Sequence, residues 1–169
     1  MLNLSLAPSR RTLLASALVG LAILASGCAS IPTPLNLADT IAKNPSLSTL
    51  SGLINSAGLS DALKAAGPFT VFAPSNEAFQ ALPAKTLKDL GDHPDQLKAL
   101  LTYHVMPGKA MVADIRNGKF KTLNGAELEL AKAANFVVVD TADVGTADIS
   151  ASNGVIHIID SVLKPPVKK

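Results

Sequence analysis

Three histidines, one tyrosine and one cysteine carry most of the reactive chemistry in this 169-residue chain. Tyr103 and His104 are adjacent and flanked by Leu100, Leu101 and Val105. His157 lies in Val155-Ile156-His157-Ile158-Ile159, and His93 lies in the polar Gly91-Asp92-His93-Pro94-Asp95. An imidazole can bind a metal, move a proton, or bridge two backbone groups inside a core. The histidines lack the short spacing of zinc ligands, and one cysteine supplies no thiolate pair, so no metal site is expected. Asp140, Asp143 and Asp148 do not follow the alternation around a glycine that a calcium loop requires. Ser161-Val162-Leu163-Lys164 formally matches the Ser-x-x-Lys of penicillin-binding enzymes. It ends a strand before Pro165-Pro166 instead of opening a helix, however, and Lys-Thr-Gly is absent. With no Gly-x-Ser-x-Gly, phosphate loop or dinucleotide fingerprint, the sequence predicts no enzyme, no catalytic residue and no cofactor.

The cysteine has a different use. Arg10-Arg11 precedes an uncharged stretch from Thr12 to Gly27, whose apolar part, Leu13 to Leu24, suits an export signal and is too short to span a bilayer. Leu24-Ala25-Ser26-Gly27-Cys28 resembles the lipobox of bacterial lipoproteins, with Ala25 standing where leucine is usual. This predicts a signal peptide over 1–27, lipidation of Cys28, and a short tether over 28–34 in which Pro32 and Pro34 favour an extended chain of about 20 Å. The alternative is an ordinary signal cut near Ala29 that leaves a soluble protein. Ser9-Arg10-Arg11-Thr12-Leu13-Leu14 also suits twin-arginine export, while two arginines equally serve a general secretory signal. Ala29 after the cysteine favours the outer membrane or cell surface over retention at the inner membrane.

Cleavage before Cys28 removes Arg10 and Arg11 and no acidic residue, so the formal charge falls from +2 to neutral. A nucleic-acid partner is therefore not expected, since the basic footprint such binding needs is missing. The membrane is the expected partner through its lipid anchor. Residues 35–165 are enough for one domain with its own core, and residues 166–169 form a polar tail. Without tryptophan and with one tyrosine, that core must be mostly aliphatic.

Periodicity supplies the elements. Leu37, Ile41, Leu47, Leu50, Leu53 and Ile54, then Leu59, Leu63 and Ala66, recur at helical spacing and predict two or three short helices. Phe69 to Ala73 is a β-type run ended by Pro74, with Ser75 or Asn76 placed to cap a helix through Phe79 and Leu82. Short helices follow over Lys85 to Leu90 and Pro94 to Leu101. Three Asn-Gly pairs, at Asn117, Asn124 and Asn153, predict turns with positive φ, including a hairpin of Phe120–Leu123 and Glu127–Leu130. Further strands are expected at Phe136–Val139, near Val144–Ile149 and at Val155–Val162. Helices and one strand first, then mostly strands, predict an α+β domain. His157 falls on a strand apolar on both faces, which predicts a hydrogen-bonded core histidine; Tyr103 and His104 are expected partly buried with bonded polar tips, and His93 solvated.

Thr70-Val71-Phe72-Ala73-Pro74-Ser75-Asn76-Glu77-Ala78-Phe79 resembles the first signature of fasciclin domains. Asn153-Gly154-Val155-Ile156-His157-Ile158-Ile159-Asp160 resembles the second, and Leu101 to Lys109 resembles the Tyr-His region between them. The resemblance spans about residues 35–165. It implies a wedge of two β-sheets with several α-helices packed against it, and a role in cell adhesion and extracellular contacts through an unknown surface protein or polysaccharide. Periplasmic scaffolding or carbohydrate binding is the alternative role. Tyr103 and His104 match the region linked to integrin binding in animal members. Thr70, Phe72, Pro74, Asn76, Phe79, Asn153, Gly154, His157 and Asp160 are the matching signature positions. In the family the two signatures are adjacent, which makes Ser75 or Asn76 the expected polar neighbour of His157.

Overall fold

Side-chain caps decide where the N-terminal helices begin. Asn36 accepts the Asp39 N–H and opens α1 (Leu37–Lys43). Asn44 closes α1 and caps the 3-10 turn Pro45–Leu47, which runs into α2 (Ser48–Ser56). After α3 (Ser60–Lys64) the chain extends as β1 (Phe69–Pro74), and Ser75 caps α4 (Asn76–Gln80) by accepting the Ala78 N–H. Two further helices follow, α5 (Ala84–Asp92) and α6 (Pro94–Tyr103), the latter with proline in its first turn, where no intrahelical N–H is needed. The computed structural model describes residues 35–134 and 136–166, and Thr33–Lys169 forms a compact unit of its own. The expected signal peptide, the lipidated Cys28 and the tether lie outside the described residues.

The remaining strands are β2 (Val105–Pro107), β3 (Gly118–Lys121), β4 (Glu127–Ala133), β5 (Phe136–Val139), β6 (Ala142–Ala151) and β7 (Gly154–Ile159). Their order is β2-β1-β7-β6-β5-β4-β3, with only β1 and β7 parallel. Ala142 and Asp143 of β6 pair with β5, while Val144 to Ala151 pair with β7 across two register shifts. Such irregularities bend a strand. The two sheets implied by the resemblance are thus halves of one ladder joined through β6. Its outer edges meet again where the Leu123 N–H donates to the Val105 carbonyl at 2.8 Å.

β7 has the alternation expected of it and is covered on both faces. Ile156 belongs to an aliphatic cluster with Leu37, Ile41, Leu50, Phe79 and Leu101. Ile159 belongs to a second cluster with Phe72, Tyr103, Leu128, Leu130 and Val139.

Three expectations shift. The strand expected over Phe120–Leu123 begins and ends two residues earlier, because Leu123, Asn124 and Gly125 form the loop itself. β7 stops at Ile159, where Asp160 turns aside to accept the Asp143 N–H. Of the Asn-Gly pairs, Gly118 and Gly125 have positive φ, but none of the three asparagines does, and neither does Gly154. The asparagines act through their side chains: Asn124 donates to the Ala99 carbonyl and Asn117 accepts the Lys132 N–H.

Candidate functional site

Tyr103 ends α6 and is 2% exposed. Its hydroxyl donates to Asp140 Oδ2 at 2.7 Å, with the Glu127 carbonyl 3.1 Å away. Asp140 in turn accepts the Glu129 N–H through Oδ1 at 2.8 Å. Asp140 sits in the left-handed region at φ 52, which aspartate tolerates better than most residues. Burial, reinforced by the Asp140 carboxylate, raises the phenol far above its ordinary pKa. Tyr103 is therefore a fixed neutral donor that ties α6 to β4 and to the β5–β6 turn.

Above this tie lies an open cleft of about 950 Å³. Ala78, Leu82 and Val162 form an apolar wall, and Lys119, Glu127 and Glu129 a charged one. Lys119 stands opposite Glu129, and Lys121 opposite Glu127, so the charges alternate in sign across the two strands. Ser161 and Lys164 also line the cleft, but they belong to the extended segment after β7 and open no helix.

His104 is buried and bonded through both ring nitrogens. Nε2 accepts the Leu163 N–H at 3.0 Å, which leaves the proton on Nδ1, 2.8 Å from the Leu100 carbonyl it donates to. Desolvation depresses its pKa to about 4, against smaller upward pulls from the Leu100 carbonyl and Asp140. His157 has the opposite tautomer: Nδ1 accepts the Asp148 N–H at 3.2 Å and Nε2 donates to the Ala110 carbonyl at 2.8 Å. Burial lowers its pKa as well. The expected neighbours of His157 were Ser75 or Asn76, and the structure corrects this. In the parallel register His157 stands beside Phe72, whose ring stacks on it at 5.7 Å between centroids, so Ser75 and Asn76 lie beyond the end of the paired strand.

The other signature residues also work internally. Thr70 Oγ1 donates to the Gly108 carbonyl and accepts the Ala110 N–H, fixing the loop that His157 also holds. Asn76 Oδ1 accepts the Thr49 N–H, and its amide donates to the Pro45 carbonyl, so it caps α2 from another part of the chain. That helix has no side-chain cap of its own. Pro74 closes the β1–β7 pairing opposite Ile159, and Phe79 is buried in the helical core. Asp160 pairs with Asp143 through backbone and side chain.

Asn153 accepts the Leu37 N–H and donates to the carbonyls of Leu63 and Ala65, joining the start of α1 to the end of α3. Asn153→Ala should lower stability by about 2–4 kcal/mol, because three groups lose a partner. An unchanged urea midpoint would contradict this.

Sequence reading missed Asp140 and Asp148, although both hold left-handed backbone and use their carboxylates to accept backbone N–H groups. Among the described residues every buried side-chain N and O has a hydrogen-bond partner.

The sequence pattern of the Fasciclin domain matches residues 45–165. The chain belongs to the fasciclin domain family. The chain is 43% identical over 141 residues to Protein sll1483 of Synechocystis, covering 82% of this chain and 78% of that protein. It is 38% identical over 137 residues to the Cell surface glycolipoprotein MPB83 of Mycobacterium bovis, covering 78% and 61%. The Transforming growth factor-beta-induced protein ig-h3 of Sus scrofa is 40% identical over 134 residues, but these cover 19% of that longer protein and 78% of this chain. In fold, this fasciclin domain matches the FAS1 domain pair of the insect cell adhesion molecule Fasciclin I with a TM-score of 0.62 at 18% identity, over 78% of this chain and 51% of that one. Among its described residues, no helix is long and apolar enough to cross a membrane.

Proposed function

We propose that this fasciclin domain is a non-enzymatic contact module, held to the bacterial cell envelope by lipid on Cys28 and mediating adhesion, aggregation or attachment through its folded surface. The observation that carries this reading is the 38% identity over 137 residues to a protein named as a cell surface glycolipoprotein. The internal bonding of Tyr103, His104 and His157 supports it, since these groups are committed to the fold and the outer surface is left for recognition. Tyr103 and His104 position the cleft from beneath without presenting their polar atoms to a partner.

Replacing the anchor tests the reading directly. Cys28→Ser should leave the melting curve of the domain unchanged and move the protein from the membrane to the soluble fraction; unchanged membrane fractionation overturns the anchor. Loss of the gene should reduce aggregation or attachment. In intact cells the domain should be cleaved by added protease, and protection would favour periplasmic scaffolding instead.

A further inference from the structure

The outer face of the β4–β5 hairpin changes character along its length. At the cleft end stand Glu127, Glu129 and Asp140, whereas from Ala131 to Val138 the sequence has one lysine and no acidic residue. Ala131 pairs with Val138 and Ala133 with Phe136. Strand alternation puts these four opposite the buried Leu128, Leu130, Val137 and Val139, on a face that no other element among the described residues covers. Phe136 is 76% exposed, while Phe72 and Phe79 are in the core. At the tip Ala134 is held at φ 53, a left-handed conformation that costs alanine about 1 kcal/mol. Lys132 flanks the tip, its ammonium on the Val112 carbonyl.

The direction of the hairpin relates it to the tether. The Leu35 carbonyl accepts the Ser152 N–H, so the chain enters the domain beside the β6–β7 turn. β5 runs antiparallel to β6, with Val138 opposite Asp143, so Phe136 lies further toward the Ala151 end of β6. That end leads to the same turn. Leu35 is seven residue steps on from Cys28, which reach about 23 Å when extended. From Asp143 to Ala151 is eight residues, at most about 27 Å along the strand, so a short tether and a modest tilt bring the tip to the surface that holds the anchor.

We propose that the tip of the β4–β5 hairpin, with Phe136 foremost, is a second membrane contact that seats in the headgroup region of the bilayer anchoring the chain. The proposal rests on the lipid-anchor reading. An exposed phenylalanine beside Ala131, Ala133 and Val138 suits the apolar-to-headgroup boundary of a bilayer. The acidic cleft end then points away from the lipid. One side chain adds little to the strength of the anchor. What it adds is orientation, keeping the cleft and the helices turned outward.

A test independent of native acylation replaces residues 1–28 by a hexahistidine and binds the compact unit to vesicles of phosphatidylethanolamine, phosphatidylglycerol and a nickel-chelating lipid. That replacement removes the sole cysteine. Ala133→Cys, or Asp92→Cys on α5 as reference, then carries a bimane label. Bilayer nitroxides should quench the label at 133 at least about twofold more than at 92, with a blue shift that Phe136→Ser abolishes. Equal quenching at both positions overturns the proposal. So does shielding at 133 that appears without lipid and tracks Phe136-dependent self-association, which would assign the tip to a second copy of the chain. Failure of the anchor itself is read separately, from fractionation of Cys28→Ser in cells.

Discussion

Gly154→Ala should cost this domain about 3 kcal/mol or more, a large share of the roughly 5–15 kcal/mol that holds a domain of this size together. A Cβ on residue 154 would lie far inside van der Waals contact distance of the Phe69 carbonyl oxygen and tightly against a Leu37 methyl. Neither neighbour can move cheaply. Phe69 stands opposite Gly154 at the start of the parallel β1–β7 pairing, and Leu37 is fully buried at the head of α1, where Asn153 also holds its N–H. Any retreat of β7 would pull His157 away from Phe72 and the Ala110 carbonyl three residues on. Gly52→Ala makes the matched control. In mid-α2 a Cβ meets nothing within 4 Å, so the same substitution should stabilise by about 0.5–1 kcal/mol. Denaturant midpoints moving in opposite directions would bear out the packing argument, and a Gly154→Ala domain as stable as the parent would refute it.

The same residue shows where sequence reading works and where it stops. Apolar alternation in Val155 to Ile159 was enough to place β7 in the middle of the sheet with His157 inside, because a strand apolar on both faces must be covered on both. Helices α1 to α6 were legible for a similar reason, since caps and periodicity are local. The pair Asn153-Gly154 has the local pattern of a turn with positive φ, yet Gly154 serves close approach to β1 and Asn153 bridges two distant helices. Nothing within a few residues of position 153 specifies Leu63 or Ala65 as its partners. Gly67 is another close approach, where a Cβ would strike the Asn153 carbonyl. Asp140 was legible only as one of three aspartates too irregular for calcium, because its partner Tyr103 lies 37 residues away. The resemblance placed both signatures side by side but not in register, and the parallel pairing moves Asn76 from His157 to α2.

Acid should weaken this domain well before its carboxylates alone would account for it. The His104 pKa is about 4 in the fold, against 6.5 when solvated, because burial penalises the imidazolium. Geometry gives the same answer: a proton on Nε2 would face the Leu163 N–H donor at 3.0 Å, and Nδ1 is already committed to the Leu100 carbonyl. Between pH 6.5 and 4 the unfolded chain takes up a proton that the folded chain refuses, so stability falls as pH falls. Full stability is present above pH 6.5, the loss from His104 levels off below pH 4, and by then it amounts to about 3 kcal/mol. His157, also depressed by burial, acts in the same direction. His104→Gln separates this effect from that of the carboxylates, which both proteins share. At pH 7.5 the variant should be the less stable, having exchanged two well-aligned bonds for poorer ones. As pH falls toward 4.5 the gap should narrow by more than half, because the glutamine has no proton to gain. Urea titrations at a series of pH values measure this difference, and curves that stay parallel from 7.5 to 4.5 would mean that His104 is not held neutral by the fold.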